Sequence, residues 1–341
     1  MIWVVTLPSL SEQDLNYRCG MKCENCGSDN NEDAKFCKKC GSALTQPVEA
    51  ERKGRSPWII VLLVVVCLIL ALGCAYAYVV YYDVSHSEIL QLTGSNHGDV
   101  LKNSAIASNI PDSEVSDEIV EAAKSGVPIY KIGDGDGPVT VISAGVHGNQ
   151  LVPSVAAMKL VNYLEGRKIK GTVYVIPFVS PKAISANSEL TDGVNLNQVA
   201  DDPGTVSNAV VEFAQNNGAT ALGDFHETQV GRDPGFTTIM CSEYPTYGSF
   251  QLANSMSGLS LDTTLTYTVA GIAYDGAIED ECNLAGLPAV TPLVVVPSHG
   301  KVYDGAVTES YNQMLALLIV NGNLDYDDFY LRIANSDIDG F

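Results

Sequence analysis

Two pairs of cysteines are the first residues in the chain whose spacing could do chemistry: Cys23-Glu-Asn-Cys26 and Cys37-Lys-Lys-Cys40, with ten residues between them. Each CxxC can bring two thiolates to one metal from a tight turn, and Gly27 and Gly41 directly follow the second cysteine of each pair. Four thiolates complete a closed tetrahedral zinc site, structural in kind because no position stays open for water or substrate. Cys19 falls outside the pattern. Farther along, His147 stands at the mouth of an apolar run, three residues before Gln150, so one turn can aim both at a single point. Asp224-Phe-His226-Glu227 delivers another histidine at the end of another apolar run. Either histidine alone reads as a polar loop residue. Two of only five, both at strand ends, suit a shared site.

The elements that must position them alternate. Strands are expected at Pro128–Ile132, Val139–Ala144, Thr172–Pro177, Ala219–Phe225, Phe236–Cys241 and Ala289–Val296. Helices are expected at Pro153–Leu164, Val206–Asn216, Tyr247–Ser257 and near Ala306–Val320. Apolar strand runs separated by helices imply an α/β fold: a mixed, mostly parallel sheet with helices on both faces. Ligands in such folds gather at the carboxyl ends of strands, where these histidines fall. The domain reading is residues 1–20 as a leader from a misplaced start (Met21 being the alternative), 21–44 as zinc ribbon and 45–57 as linker. Residues 58–82 follow as a transmembrane helix, 83–126 as a Ser/Asn-rich stalk and 127–341 as the α/β domain.

Residues 57–82 carry no charge, and about 20 apolar helical residues cross the hydrocarbon core. Trp58 at one end and Tyr76, Tyr78, Tyr81 and Tyr82 at the other form an aromatic belt. Arg52, Lys53 and Arg55 precede the span and Asp83 and Glu88 follow it, so the positive-inside rule expects a cytoplasmic N-terminus and an extracytoplasmic C-terminal domain in the cell membrane. Charge is unevenly placed. Residues 1–82 hold 8 basic and 8 acidic residues, whereas 83–341 hold 11 and 32, the source of the net −21. That acidity excludes nucleic acid as a main partner, since phosphate binding needs a basic surface. Cys241 and Cys282 either pair in an oxidising compartment or stand as buried thiols. Asp325, Asp327 and Asp328 read as a solvated terminus.

Four stretches, in order, resemble the zinc carboxypeptidase superfamily in its succinylglutamate desuccinylase/aspartoacylase branch. They are Gly135-Asp-Gly-Pro-Val-Thr-Val-Ile-Ser-Ala-Gly-Val-His147-Gly-Asn, Ile176-Pro-Phe-Val-Ser-Pro181, Asp192-Gly-Val-Asn-Leu-Asn197-Gln198 with Pro203-Gly204, and Asp224-Phe-His226-Glu-Thr. The N-terminal segment resembles the zinc-ribbon knuckles of many membrane proteins, where a cytoplasmic protein partner is the expected role. The larger resemblance implies a second zinc, with His147, Gln150 and His226 at the ligand positions and Asn197 and Gln198 at the substrate-carboxylate positions. It implies water attacking an amide carbonyl while a carboxylate takes the proton.

Three positions depart from the family's pattern. Gln150 stands where the resemblance implies Glu, Gln198 where it implies Arg, and Leu293 of Gly286-Leu-Pro-Ala-Val-Thr291-Pro-Leu293 where it implies the catalytic Glu. A displaced base could come from Glu227, or from Glu279, Asp280 or Glu281, and His299 could replace Gln150 as a ligand. Two functions follow. One is a membrane-anchored zinc-dependent amide hydrolase acting on envelope peptide or N-acyl amino acid. The other is a catalytically silent module of the same fold that binds envelope peptides or proteins.

Overall fold

A computed structural model describes residues 20–45, 57–82, 84–133, 135–259 and 263–326. The readings of residues 1–20 and 45–57 fall almost wholly outside these, as do Asp327 and Asp328. Contacts divide the chain between Leu72 and Gly73.

In the N-terminal unit, β1 (Met21–Lys22) pairs antiparallel with β2 (Asp29–Asn30). Two turns of the same kind follow one another: Gly27 N–H donates to Cys23 O at 2.8 Å, and Gly41 N–H to Cys37 O at 2.9 Å. Both glycines have positive φ, 65° and 73°, with nothing near a would-be Cβ, so backbone conformation alone demands glycine there. Helix α1 spans Pro57–Tyr82, and its Trp58–Tyr78 stretch has mean hydropathy 3.1 with none of it buried by protein. Its 21 residues rise about 31 Å, long enough to cross a bilayer core.

The larger unit is built on eight strands: β3 (Ser87–Gln91), β4 (Pro128–Ile132), β5 (Val139–Ala144), β6 (Thr172–Ile176), β7 (Ala221–Gln229), β8 (Thr238–Ser242), β9 (Thr264–Thr268) and β10 (Ala289–Val296). They lie in the order β3-β4-β6-β5-β7-β10-β8-β9. The central run β6-β5-β7-β10 is parallel, as is β8-β9, while β3-β4, β4-β6 and β10-β8 are antiparallel. The fold is thus mixed α/β with a mostly parallel sheet. Its helices are α2 (Ser104–Ala107), α3 (Glu114–Ala123), α4 (Leu151–Leu164), α5 (Pro181–Ser185), α6 (Val206–Asn216), α7 (Tyr247–Ser257), α8 (Ile278–Leu284) and α9 (Asp304–Val320).

Strand alternation sorts the core into two layers. Phe225, Val290 and Val294 face a cluster with Leu151, Met158 and Leu160 of α4, Met256 of α7 and Leu317 of α9. Leu222 and Ala289 face a second cluster with Val210 of α6 and Ile278 and Cys282 of α8. Each fully buried Leu, Ile or Met side chain contributes about 1.5–3 kcal/mol. Cys241 and Cys282 are both free and buried, one in each layer.

The stalk reading is corrected. Residues 87–91 form an edge strand in register with β4, Ser87 opposite Ile132. Helix α3 is capped by Ser113, whose side chain accepts from Ser116 N–H, and it buries Ile119, Val120 and Ala123 in the main core. The apolar runs here are short and set among Ser and Asn, which hid them from a pattern reading.

Candidate metal centre and cavity

The ribbon's four sulfurs lie within 4.8 Å of one another, with Cys23–Cys40 and Cys26–Cys37 separations of 3.6 and 3.5 Å. A tetrahedral zinc with sulfurs at 2.3 Å requires edges of about 3.8 Å, so the donors fit. The Lys39 and Cys40 amides beside Cys37 hold its thiol down at about 6, favouring the thiolate form that binds metal. Buried Asn30 ties the knuckles together: its Nδ2 donates to Ser28 O, and its Oδ1 accepts from Lys38 N–H.

The second site is set by β7. Successive side chains leave opposite faces, so Asp224 and His226 point toward the α6–α8 layer while Phe225 and Glu227 point toward α4 and α9. His147 follows β5 in the neighbouring loop, and Gln150 is the residue just before α4. The loop passes so close to α5 that a Cβ on Gly148 would lie 2.0 Å from the Ala183 carbonyl carbon.

Glu227 N–H donates to Gln150 Oε1 at 2.8 Å, which fixes that atom as oxygen. The same oxygen sits 3.0 Å from His226 Nδ1, while His226 Nε2 meets Asp224 Oδ2 at 2.8 Å. An acceptor therefore faces each ring nitrogen. His147 stands with its ring centroid 5.3 Å from that of His226, and its Nδ1 lies 3.3 Å from Glu189 O. Burial, and then His226, push His147 down to about 4, keeping it neutral and able to ligate. Two imidazoles and an amide oxygen therefore converge, each imidazole oriented by an acceptor behind it, as ligating histidines usually are. The donors fit a divalent cation, held more weakly than with a carboxylate in the set.

These residues open on a cavity of about 120 Å³. Asn197 lines it with a buried Oδ1 that has no partner. Gln198, expected on a substrate carboxylate, is exposed and outside the lining, with Gly276 packed against its backbone. Glu281, expected as a displaced base, is placed differently from Glu279. It is half-buried, outside the lining, and its carboxyl is raised by burial and by the charges of Asp201 and Asp275. Glu227 reaches the cavity but has both oxygens engaged, Oε1 by Val152 N–H at 2.7 Å and Oε2 by His299 Nδ1 at 2.9 Å. Among the described residues the ribbon cysteines are the one group of three or more His, Cys, Asp or Glu with all ligand atoms inside 4.8 Å, so His299 does not complete a three-histidine set. Glu279 of α8, one of the acids from which a displaced base was expected, lines the cavity at 2% exposure. Of the three successive acids on α8, Glu279 and Asp280 are buried while Glu281 is only half-buried, and Glu279 is the one that lines the cavity.

Residues 22–44 match the sequence profile of a zinc-ribbon domain. Residues 136–233 match that of the succinylglutamate desuccinylase/aspartoacylase catalytic domain. A curated relative, an N-alpha-acetyl-L-2,4-diaminobutyric acid deacetylase of Halomonas elongata, is 26% identical over 91 residues, covering 26% of this chain. The match spans only 27% of that relative's length. An aspartoacylase family protein from Mesorhizobium loti superimposes with TM-score 0.47 at 21% identity, over 58% of this chain and 62% of that one. A metallo-carboxypeptidase from Burkholderia cenocepacia gives 0.49 at 13%, over 73% and 68%.

Proposed function

We propose that this chain is a single-pass membrane protein whose larger domain is a zinc-dependent amide hydrolase facing the extracytoplasmic side, with the ribbon in the cytoplasm as a protein-contact module. The observation that carries the hydrolase reading is the arrangement around His226: acceptors on both ring nitrogens, with Gln150 Oε1 and His147 beside the cavity. A bound zinc supplies an acidified water and polarises a carbonyl. The chain's own part is to orient the imidazoles through Asp224 and the Glu189 carbonyl, and to offer Asn197 Oδ1 to a substrate N–H. Membrane anchoring rests on the 21 apolar, unburied residues of α1, and orientation on the basic residues before it.

Among the described residues no Lys or Arg lines the cavity, whereas Asp233, Glu227 and Glu279 do. An acyl peptide or acyl amine therefore suits it better than an N-acyl amino acid that needs an ion pair for its carboxylate. Leu293 favours the second reading, a silent binding module, since an aliphatic chain transfers no proton.

Zinc content of the purified full chain separates the two. The hydrolase reading expects two zincs per chain, one lost in Cys23→Ser and the other in His147→Ala or His226→Ala. A single zinc that survives His147→Ala would sink it and leave the binding module.

A further inference from the structure

We propose that Glu279 of α8 is the proton-transferring carboxyl of this cavity, doing from the overlying helix what Leu293 cannot do from strand β10; this rests on the hydrolase reading above. Strand alternation puts His226 on the face of the sheet that α8 covers, with Thr291 and Leu293 of β10 and Ser242 of β8. Leu293 is in direct register with His226, so a carboxylate at that position would stand beside the candidate metal. Instead the strand offers an apolar side chain, and Glu279 enters the same cavity from above.

The other carboxyls are disposed differently. Glu227 has an oxygen on the α4 amide of Val152 and the other on His299. Glu281 lies outside the lining, and Asp233 is an exposed residue of the rim. Ser242 Oγ and Asn283 Nδ2 both donate to Glu279 Oε1, and neither touches Oε2. Two fixed donors on one oxygen orient the carboxyl, and the neighbouring Asp280 carboxyl is within hydrogen-bonding reach of it as well. Burial, and after it the charge of Asp280, raises Glu279 well above the usual carboxylate range. A carboxyl raised in this way holds a proton more readily than a free one, which suits the return of a proton to a leaving nitrogen. The titratable groups around it are Asp280 and Cys282 on α8, Cys241 on β8, Tyr274 and Asp233 at the rim, and the two cavity histidines.

In this role the Glu279 carboxylate takes one proton from the attacking water as the water oxygen bonds to the carbonyl carbon. The C–N bond then breaks, and the same proton passes to the leaving nitrogen. One water is consumed, and a carboxylic acid and an amine leave, with no change of oxidation state.

The test uses the full chain in detergent, with Glu279→Gln beside Glu281→Gln. Zinc content and circular dichroism report integrity, acetohydroxamic acid titrated calorimetrically probes the loaded site, and a panel of N-acetyl and N-succinyl amides probes turnover. The expected result for Glu279→Gln is unchanged zinc, at least tenfold weaker hydroxamate binding, about a 10²–10⁴-fold lower kcat, and loss of the acidic limb of its pH profile. Glu281→Gln is expected to match wild type. Adding Leu293→Glu to Glu279→Gln is expected to restore part of the turnover, which a purely structural role for Glu279 would not permit. Absence of the second zinc from wild type overturns the hydrolase reading and this assignment together. A second zinc with wild-type hydroxamate affinity and turnover in Glu279→Gln overturns the assignment alone. If Glu279→Gln fails to fold, Glu279→Asp with wild-type kcat and pH profile overturns it equally.

Discussion

Replacing Asp224 with alanine removes the one acceptor shared by two buried donors. Asp224 Oδ1 accepts from Ser143 Oγ at 2.7 Å, and Oδ2 meets His226 Nε2 at 2.8 Å. Ser143 is fully buried and His226 is 4% exposed, so bulk solvent is largely kept from both orphans. A buried donor without a partner costs about 1–3 kcal/mol, so Asp224→Ala is expected to cost roughly 2–6 kcal/mol. For a unit of this size each kcal/mol shifts Tm by about 2–4 °C, placing the expected fall at roughly 5–20 °C. Calorimetry of the full chain in detergent measures it. Ser143→Ala/Asp224→Ala removes one orphan and is expected to recover about 1–3 kcal/mol relative to Asp224→Ala. Affinity for the second zinc is expected to fall a further 10–100-fold, because His226 loses the group that orients it. A Tm change under about 2 °C, or a double variant no better than Asp224→Ala, would refute the reasoning.

Other expectations are independent of that residue. Gly148→Ala puts a Cβ 2.0 Å from the Ala183 carbonyl carbon and 2.3 Å from Ile184 N, both backbone atoms, so the His147 loop must shift at about 1–3 kcal/mol. Elemental analysis should find the second zinc lost and the ribbon zinc kept; retention of both refutes the close packing. In zinc-free protein, His147 falls from an unfolded value near 6.5 to about 4. Its neutral form is favoured by the fold, so stability is full above pH ~6.5 and declines as pH drops toward 4, by up to roughly 3 kcal/mol. Tm measured against pH should flatten over that window in His147→Gln; an unchanged acid limb would assign it to other groups.

Much of the fold was legible because its central strands are continuous apolar runs. β4, β5 and β10 and helices α6 and α7 have the bounds their patterns imply. What escaped was the periphery. β3 and β9 are edge strands whose residues are only half-covered, so their composition stays close to that of a loop. Within the site, the histidines and Gln150 could be placed from strand ends alone. The proton-transferring carboxyl could not, because three successive acids, Glu279, Asp280 and Glu281, share one short helix and differ only in the angle at which each leaves it. That angle depends on which side of α8 meets the sheet, a tertiary fact. Asn197 lines the cavity and Gln198 does not for a related reason: a 3₁₀ turn sends neighbouring side chains in different directions.

The two faces of β7 carry incompatible cargo. On one, Asp224 and His226 need hydrogen-bond partners; on the other, Phe225 needs a dry core and Glu227 needs the first amides of α4. A slip of one residue against β5 or β10 would exchange the two sets, driving a carboxylate into hydrocarbon and a phenyl ring into the cavity. A uniformly aliphatic central strand would tolerate such an error for the lifetime of a folding intermediate. This one cannot, so the residues that assemble the site also proofread the pairing of the sheet.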